Sequence, residues 1–187
     1  MDRMSFKEPS GFERILTNFF TYTLGSRESR AFAESLPLGG DEEVLDYGSG
    51  NGATARFIAE RLDKGGRLTC VDISEVWHRV IRENLRGYDN VRFLLGDILG
   101  LDAGNARYDL VTLHFVLHDL KPEERPARTA RLAEALKPGG RLVIEEPKKE
   151  SHGIQLAEIR TLMDRAGLGE IEAEERKKTN YCVFERR

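Results

Sequence analysis

The stretch VLDYGSGNGA, Val44 to Ala53, places three glycines within five positions directly after an apolar run that ends in an aspartate and a tyrosine. Glycine weakens helices and strands alike, so such a cluster indicates a turn at which the backbone approaches a ligand closely. The run before the glycines (43–47) has strand character, and the segment after them (52–62) has apolar residues at helical spacing. The stretch therefore predicts a strand, a tight glycine turn and a helix.

The same alternation of strand and helix continues to the end of the sequence. Apolar runs predict strands at 65–74, 90–97, 108–120 and 137–147, and helical spacing predicts helices at 75–85, 121–136 and 154–169. The final segment, 170–187, predicts two strands around the sequence KKTN, with Asn180 as the turn residue of a hairpin. Nearly continuous apolar strands alternating with helices are typical of a parallel α/β sheet with helices on both faces. The hairpin requires one antiparallel strand.

A length of 187 residues is typical of one domain with a full hydrophobic core. Residues 1–40 are helical in pattern, and we interpret them as an N-terminal extension, or cover, of a core formed by residues 41–187. This extension carries more aromatic side chains than a covering helix needs, so one interpretation is a lid in which Phe20 or Tyr22 lies over a bound ligand; the other is a fixed pair of structural helices, and both stay open.

Composition limits the partners that we expect. The 29 basic and 32 acidic side chains give a net charge of −3, which argues against a nucleic-acid partner. The start of the chain lacks the apolar centre of a signal peptide, and no apolar run has the length of a membrane span, so we expect a cytoplasmic protein. Cys70 and Cys182 lie in apolar runs and are predicted to be buried thiols. The oligomeric state stays open.

The glycine turn alone leaves two kinds of ligand open. A Walker phosphate-binding loop is excluded, because no Gly-Lys-Ser/Thr follows the glycines. A dinucleotide fingerprint is not excluded: Gly48, Gly50 and Ala53 fit G-x-G-x-x-G/A, and Asp72 follows about twenty residues later.

Three acidic residues at the ends of predicted strands favour a different ligand. Asp46 would repel a pyrophosphate but would attract an ammonium group, and Asp72 and Asp97 lie at the same edge of the sheet. Carboxylates around a glycine turn suit a ligand with hydroxyls, amines and positive charge. S-adenosylmethionine has all of these groups.

Five segments resemble the successive motifs of class I S-adenosylmethionine-dependent methyltransferases, in order and at the spacing of that family. They are EVLDYGSGNG, LTCVDIS, VRFLLGDI, YDLVTLHFVLHDL and LKPGGRLVI, which together span residues 43–147. The resemblance implies a Rossmann-like, seven-stranded, mostly parallel sheet in the order 3-2-1-4-5-7-6, with strand 7 antiparallel. Tyr47 departs from the pattern, because relatives have a small apolar residue there; its ring is expected on the sheet face opposite Asp46.

The resemblance also implies which residues bind S-adenosylmethionine. The methionine portion would be held by Asp46, by the backbone of Gly48, Ser49 and Gly50, and by the carbonyl of His114. The adenosine portion would be held by Asp72 at the ribose hydroxyls, Ile73 on the adenine ring, Asp97 at the adenine amine and the backbone of Ile98.

The acceptor of the methyl group should bind beyond strands 4 and 5. The segment FVLHDL resembles small-molecule members of the family, which makes His118 the candidate general base and the acceptor a small molecule. Glu146 is a weaker catalytic candidate, and Trp77 is interpreted as a core residue. The candidate metal ligands near the acceptor site would be His114, His118, Asp119 and Glu145. No metal is predicted, because these four residues have no recognised ligand spacing.

Three alternatives stay open at this point. The first is a protein or RNA methyltransferase of the same fold, which the acidic charge disfavours. The second is an NAD(P)-dependent reductase, for which the chain after the glycine turn is short. The third is a module that binds the cofactor without catalysis.

Overall fold

The computed structural model describes residues 26–149 and 151–187. Its seven strands form one sheet in the order β3-β2-β1-β4-β5-β7-β6. The strands are β1 Glu43–Tyr47, β2 Arg67–Asp72, β3 Val91–Leu95, β4 Tyr108–His114, β5 Leu136–Pro147, β6 Leu168–Glu175 and β7 Thr179–Arg186. β7 pairs antiparallel with both β5 and β6, whereas β1 to β5 pair in parallel. The predicted sheet, strand order and antiparallel strand are confirmed.

Helices cover both faces of this sheet. They are α1 Ser26–Ser35, α2 Ala55–Arg61, α3 Glu75–Asn84, α4 Arg125–Ala135 and α5 Leu156–Arg165, with short 3₁₀ turns at Leu117–Asp119 and Pro122–Glu124. Successive strand residues point to opposite faces, so Val44 packs with α1, α2 and α3, whereas Leu45 packs with α4 and α5. Tyr47 lies on the Leu45 face, opposite Asp46, as expected from the sequence.

The described end of the N-terminal extension is part of the core. Phe32 is fully buried, and the Arg61 guanidinium donates to the carbonyls of Ala33, Leu36 and Leu38. Tyr181 on β7 donates its hydroxyl to the Ser35 carbonyl at 3.2 Å. α1 is therefore fixed to both α2 and the sheet, while the predicted lid residues Phe20 and Tyr22 lie outside the described residues.

Two sequence predictions, of the end of one strand and of the position of the hairpin turn, are wrong. Strand β4 does not reach residue 120 but ends at His114, because Phe115 adopts a positive φ of 62° and turns the chain away from the sheet. Asn180 is not a turn residue: it lies in β7, it is buried, and its side-chain amide donates to the Ile154 carbonyl at 3.0 Å. The hairpin turn falls instead at residues 176–178.

The prediction that both cysteines are buried thiols is confirmed by the structure. Cys70 in β2 and Cys182 in β7 are buried free thiols on opposite faces of the sheet. Among residues 26–149 and 151–187, no helix combines the length and apolarity that crossing a bilayer requires.

Candidate active site

The glycine turn after β1 is held against the end of β2. The amides of Gly48 and Ser49 both donate to the Val71 carbonyl, at 2.8 and 3.1 Å, and the amide of Gly50 donates to the Asp72 carboxylate at 2.8 Å. Gly48 has a φ of 74°, and a Cβ there would lie 2.6 Å from Val116. Only glycine fits this position, because a side chain would strain the backbone at this φ and would overlap the Val116 side chain.

Two adjoining cavities open at the carboxyl ends of β1, β2 and β4. The larger, of about 600 Å³, includes Asp46, Ser49, Thr54, His114, His118 and His152 in its wall. The smaller, of about 240 Å³, includes Tyr47, Asp72, Ile73, Val116 and Leu120. Gly48, Gly50, Trp77, Phe115 and Asp119 line both cavities. This is the edge of the sheet at which ligands bind in open α/β folds.

Asp46 presents a buried, incompletely satisfied carboxylate to the larger cavity. It is only 2% exposed, and its Oδ1 accepts from the Thr112 hydroxyl at 2.8 Å. Its Oδ2 is buried without a hydrogen-bond partner among the described residues. Burial raises the pKa of this carboxyl to about 6, although the Thr112 hydroxyl acts in the opposite direction. A buried acceptor of this kind suits a cationic group such as an ammonium.

Asp72 and Ile73 line the smaller cavity, as the ribose and adenine roles require. The Asp72 carboxylate accepts the Gly50 amide through one oxygen and the Ser74 amide through the other, both at 2.8 Å. These bonds fix the carboxylate at the end of β2 and join it to the glycine turn. An acceptor held in this way can bind hydroxyl donors without first being ordered.

Asp97 and Ile98 lie outside the walls of both cavities. The Asp97 carboxylate accepts from the Arg128 guanidinium at 2.7 Å, and the Ile98 side chain is fully buried in the apolar core. The resemblance placed these residues at the adenine amine. That contact stays a prediction, and Arg128 is the partner that the structure gives to Asp97.

His114 stands at the end of β4 between two aromatic rings. It stacks on Phe32 and Phe115, with ring centroids 4.4 and 4.2 Å away, and its Nδ1 lies 2.9 Å from the Thr54 hydroxyl. Burial lowers the pKa of His114 to about 4, so the ring is neutral at pH 7. Its Nε2 is buried without a partner among the described residues. His114 therefore lines the larger cavity, and the contact of its carbonyl with the cofactor stays a prediction.

His118 is held by Glu146 from the neighbouring strand. The Glu146 carboxylate is fully buried, and it accepts the amides of Val116 and Leu117 at 2.7 and 2.6 Å. The same carboxylate lies 2.7 Å from Nδ1 of His118. Burial lowers the pKa of His118, but the hydrogen bond and charge of Glu146, with the charge of Asp119, raise it above the ordinary value. Glu146 therefore orients the loop and the imidazole, and its fully buried carboxylate is a positioning group.

Sequence reasoning missed several residues of this site, among them Trp77, Phe115 and His152. Trp77, interpreted above as core, lines both cavities, and so does Phe115 with its positive φ. His152 also lines the larger cavity, with its ring 4.9 Å from that of His118. The one sequence signal for His152 is the glycine that follows it, and the structure gives its reason: a Cβ at Gly153 would overlap the Pro147 carbonyl oxygen.

Known proteins resemble this chain in sequence and in fold. Residues 44–140 match the model of a protein family described as a methyltransferase domain. A carboxy-S-adenosyl-L-methionine synthase from Shewanella baltica is 33% identical over 130 residues, which cover 67% of this chain and 51% of that protein. The chain spans about half the length of the curated relatives that it matches.

Solved structures share the whole fold. A TehB-like S-adenosylmethionine-dependent methyltransferase from Corynebacterium glutamicum matches with a TM-score of 0.78 and 16% identity, covering 95% of this chain and 100% of that one. A second methyltransferase of this cofactor class, from Aquifex aeolicus, matches with a TM-score of 0.70 and 17% identity, covering 91% and 93%. At these identities the likeness concerns the fold.

Proposed function

Since this chain belongs to the methyltransferase domain family, we propose that it transfers a methyl group from S-adenosylmethionine to a small-molecule acceptor in the larger cavity. The observation that carries the proposal is the buried Asp46 Oδ2, which has no partner among the described residues and lies beside the glycine turn. An ammonium group of the cofactor would satisfy that oxygen.

The walls of the two cavities supply the remaining cofactor contacts that we propose. The backbone of Gly48, Ser49 and Gly50 would approach the methionine portion, while Asp72 and Ile73 would hold the ribose and the adenine. When bound, S-adenosylmethionine supplies an electrophilic methyl group on a sulfonium ion. The aromatic walls formed by Trp77 and Phe115 would exclude water from the junction of the two cavities.

His118 is the residue that we propose to accept a proton from the acceptor. Its Nδ1 is occupied by Glu146, so Nε2 is the nitrogen left to act on a group in the larger cavity. This arrangement, in which a carboxylate orients an imidazole, is the one that general-base catalysis uses. His114 is a poorer base because burial holds its pKa at about 4.

Two features favour a small acceptor over a macromolecule or a hydride-transfer cofactor. The net charge of −3 does not suit an RNA backbone, and a cavity of about 600 Å³ has the size of a small-ligand site. A buried carboxylate at Asp46 would repel the pyrophosphate of a nicotinamide dinucleotide.

Calorimetry with S-adenosylhomocysteine and NADH tests the cofactor assignment. We expect binding of S-adenosylhomocysteine alone, and at least a tenfold loss in Asp46→Asn, because a charge-assisted hydrogen bond is worth about 1.5–3 kcal/mol. Asp89→Asn is the matched control, since Asp89 is an exposed aspartate outside both cavities. Binding of NADH, or unchanged affinity in Asp46→Asn, would refute the assignment.

Mass spectrometry of reactions with a panel of small hydroxylated and carbon acids then tests the transfer itself. The expected products are S-adenosylhomocysteine and an acceptor that has gained one methyl group. Because the Shewanella baltica relative is named a carboxy-S-adenosyl-L-methionine synthase, the same spectra should be searched for carboxy-S-adenosylmethionine. Formation of carboxy-S-adenosylmethionine without any methylated acceptor would refute methyl transfer and indicate the reaction named for that relative instead.

A further inference from the structure

We propose that His118, Asp119 and His152 bind a divalent transition-metal ion at the acceptor side of the larger cavity. One ligand atom from each of these residues lies within 4.8 Å of the others. All three side chains line the same cavity as Asp46 and the glycine turn. Two imidazoles and one carboxylate form a donor set that first-row divalent ions prefer, with coordination positions left open for a further ligand.

The spacing of the donor atoms suits one shared ion. Nε2 of His118 lies 3.5 Å from Oδ1 of Asp119. Two ligands on one ion are roughly 3–3.5 Å apart, because metal–nitrogen and metal–oxygen bonds are about 2.0–2.2 Å long. The His152 ring stands edge-on to His118 at 4.9 Å, so a small movement of this exposed side chain completes the set.

The surroundings hold two of the ligands in place. Glu146 contacts Nδ1 of His118 at 2.7 Å, which leaves Nε2 for an ion; a carboxylate behind a ligating imidazole is the usual support of a metal site. The His152 loop is closed by the Ile154 amide, which donates to the Pro147 carbonyl at 2.8 Å. The backbone of Gly153 packs so closely there that no side chain would fit.

Metal binding can be measured without reference to catalysis. A role for the ion in binding the methyl acceptor rests on the proposed function. An ion at this position could bind an acceptor oxygen and lower the pKa of a hydroxyl, as metal ions do for bound water. In the metal-free chain His118 is the base proposed above; with an ion bound, Nε2 of His118 would be a ligand and the ion would activate the acceptor hydroxyl in its place. The acceptor class implied is a small molecule with an oxygen donor next to the methylated atom.

Titration of the tag-free, full-length chain with Co²⁺, followed by visible absorption, tests the site. We expect a saturable ligand-field spectrum that Zn²⁺ displaces. His152→Gln should weaken Co²⁺ binding at least tenfold, and Glu146→Gln should weaken it about 10–100-fold, the usual effect of losing the group behind a ligand. His78→Gln is the matched control, because His78 lies on α3 and outside the cluster.

Calorimetry with S-adenosylhomocysteine on the same samples separates this inference from the proposed function. Unchanged cofactor affinity in His152→Gln shows that the variant is folded, so its loss of Co²⁺ binding counts for the site. A wild-type chain that binds S-adenosylhomocysteine but gives no saturable Co²⁺ spectrum overturns the metal site and leaves the proposed function standing. Equal Co²⁺ affinity in His152→Gln and His78→Gln also overturns it.

Discussion

The carboxyl of Asp46 makes cofactor binding depend on pH. Burial raises its pKa to about 6, and only the ionised form attracts an ammonium group. Affinity for S-adenosylhomocysteine should therefore fall by about tenfold from pH 7.5 to pH 5, as linkage requires for a carboxyl one unit above the lower pH. Calorimetry across this range should show the fall, and Asp46→Asn should show little pH dependence. Similar wild-type affinities at pH 5 and 7.5 would contradict the role.

The raised pKa of Asp46 affects the stability of the fold in the opposite direction: a rise in pH that favours ligand binding lowers the free energy of unfolding. The folded-state pKa lies above the ordinary value of 3.8, so the folded chain holds this proton more tightly than the unfolded chain does. The contribution of Asp46 to the free energy of unfolding is thus fully present below about pH 4 and is lost as the pH rises through about 6. The protein gives up stability at neutral pH in order to present a charged acceptor to its ligand.

Replacement of His118 should affect turnover far more than cofactor binding. His118→Asn should lower turnover by about 10²–10⁴, the usual contribution of a general base, while affinity for S-adenosylhomocysteine is preserved. Steady-state kinetics and calorimetry measure the two quantities. His78→Asn is the control, and a His118 variant with wild-type turnover would leave this residue as part of the cavity wall.

At the scale of the elements, Gly48 in the turn after β1 has a matched control in Gly139 of β5. Gly48 and Gly139 have φ values of 74° and 75°, but a Cβ would meet Val116 at 2.6 Å in the first and nothing within 4 Å in the second. Either change to alanine should cost about 1–2 kcal/mol through backbone strain. Gly48→Ala alone should cost more and abolish S-adenosylhomocysteine binding. Denaturant unfolding and calorimetry test this; equal losses in both variants would show that the contact with Val116 is unimportant.

The elements around the proposed cofactor site were predictable, whereas much of the proposed acceptor side was not. Continuous apolar runs and a glycine cluster identify β1, β2 and their turn, because period and composition are local properties. The apolar run after His114 gave no sign that Phe115 adopts a positive φ, so β4 was predicted too long. His152 stood in no periodic pattern. Its place depends on contacts of the 147–154 loop with β7, which no local window contains.

At the scale of the whole molecule, α1 connects the sheet to the larger cavity. Glu28 and Ser29 line that cavity, while Arg61 and Tyr181 fix the end of the same helix. Arg61→Met should lower the free energy of unfolding by about 1.5–3 kcal/mol, because it removes charge-assisted hydrogen bonds. Hydrogen exchange should show faster exchange across residues 26–36. Arg67→Met, at an exposed end of β2, is the control; equal effects would mean that α1 is held by its apolar contacts alone.

The amide of Asn180 has an evolutionary consequence. The chain up to β3 carries the glycine turn and Asp72. The loop that bears His152 follows β5, and the side-chain amide of Asn180 in β7 donates to the Ile154 carbonyl after it. Substitutions in that loop therefore leave the residues proposed to bind the cofactor unchanged. Under the proposed function, a lineage with this arrangement would exchange one acceptor for another by altering this loop, as long as the Ile154 amide stays bonded to the Pro147 carbonyl and Asn180 to the Ile154 carbonyl.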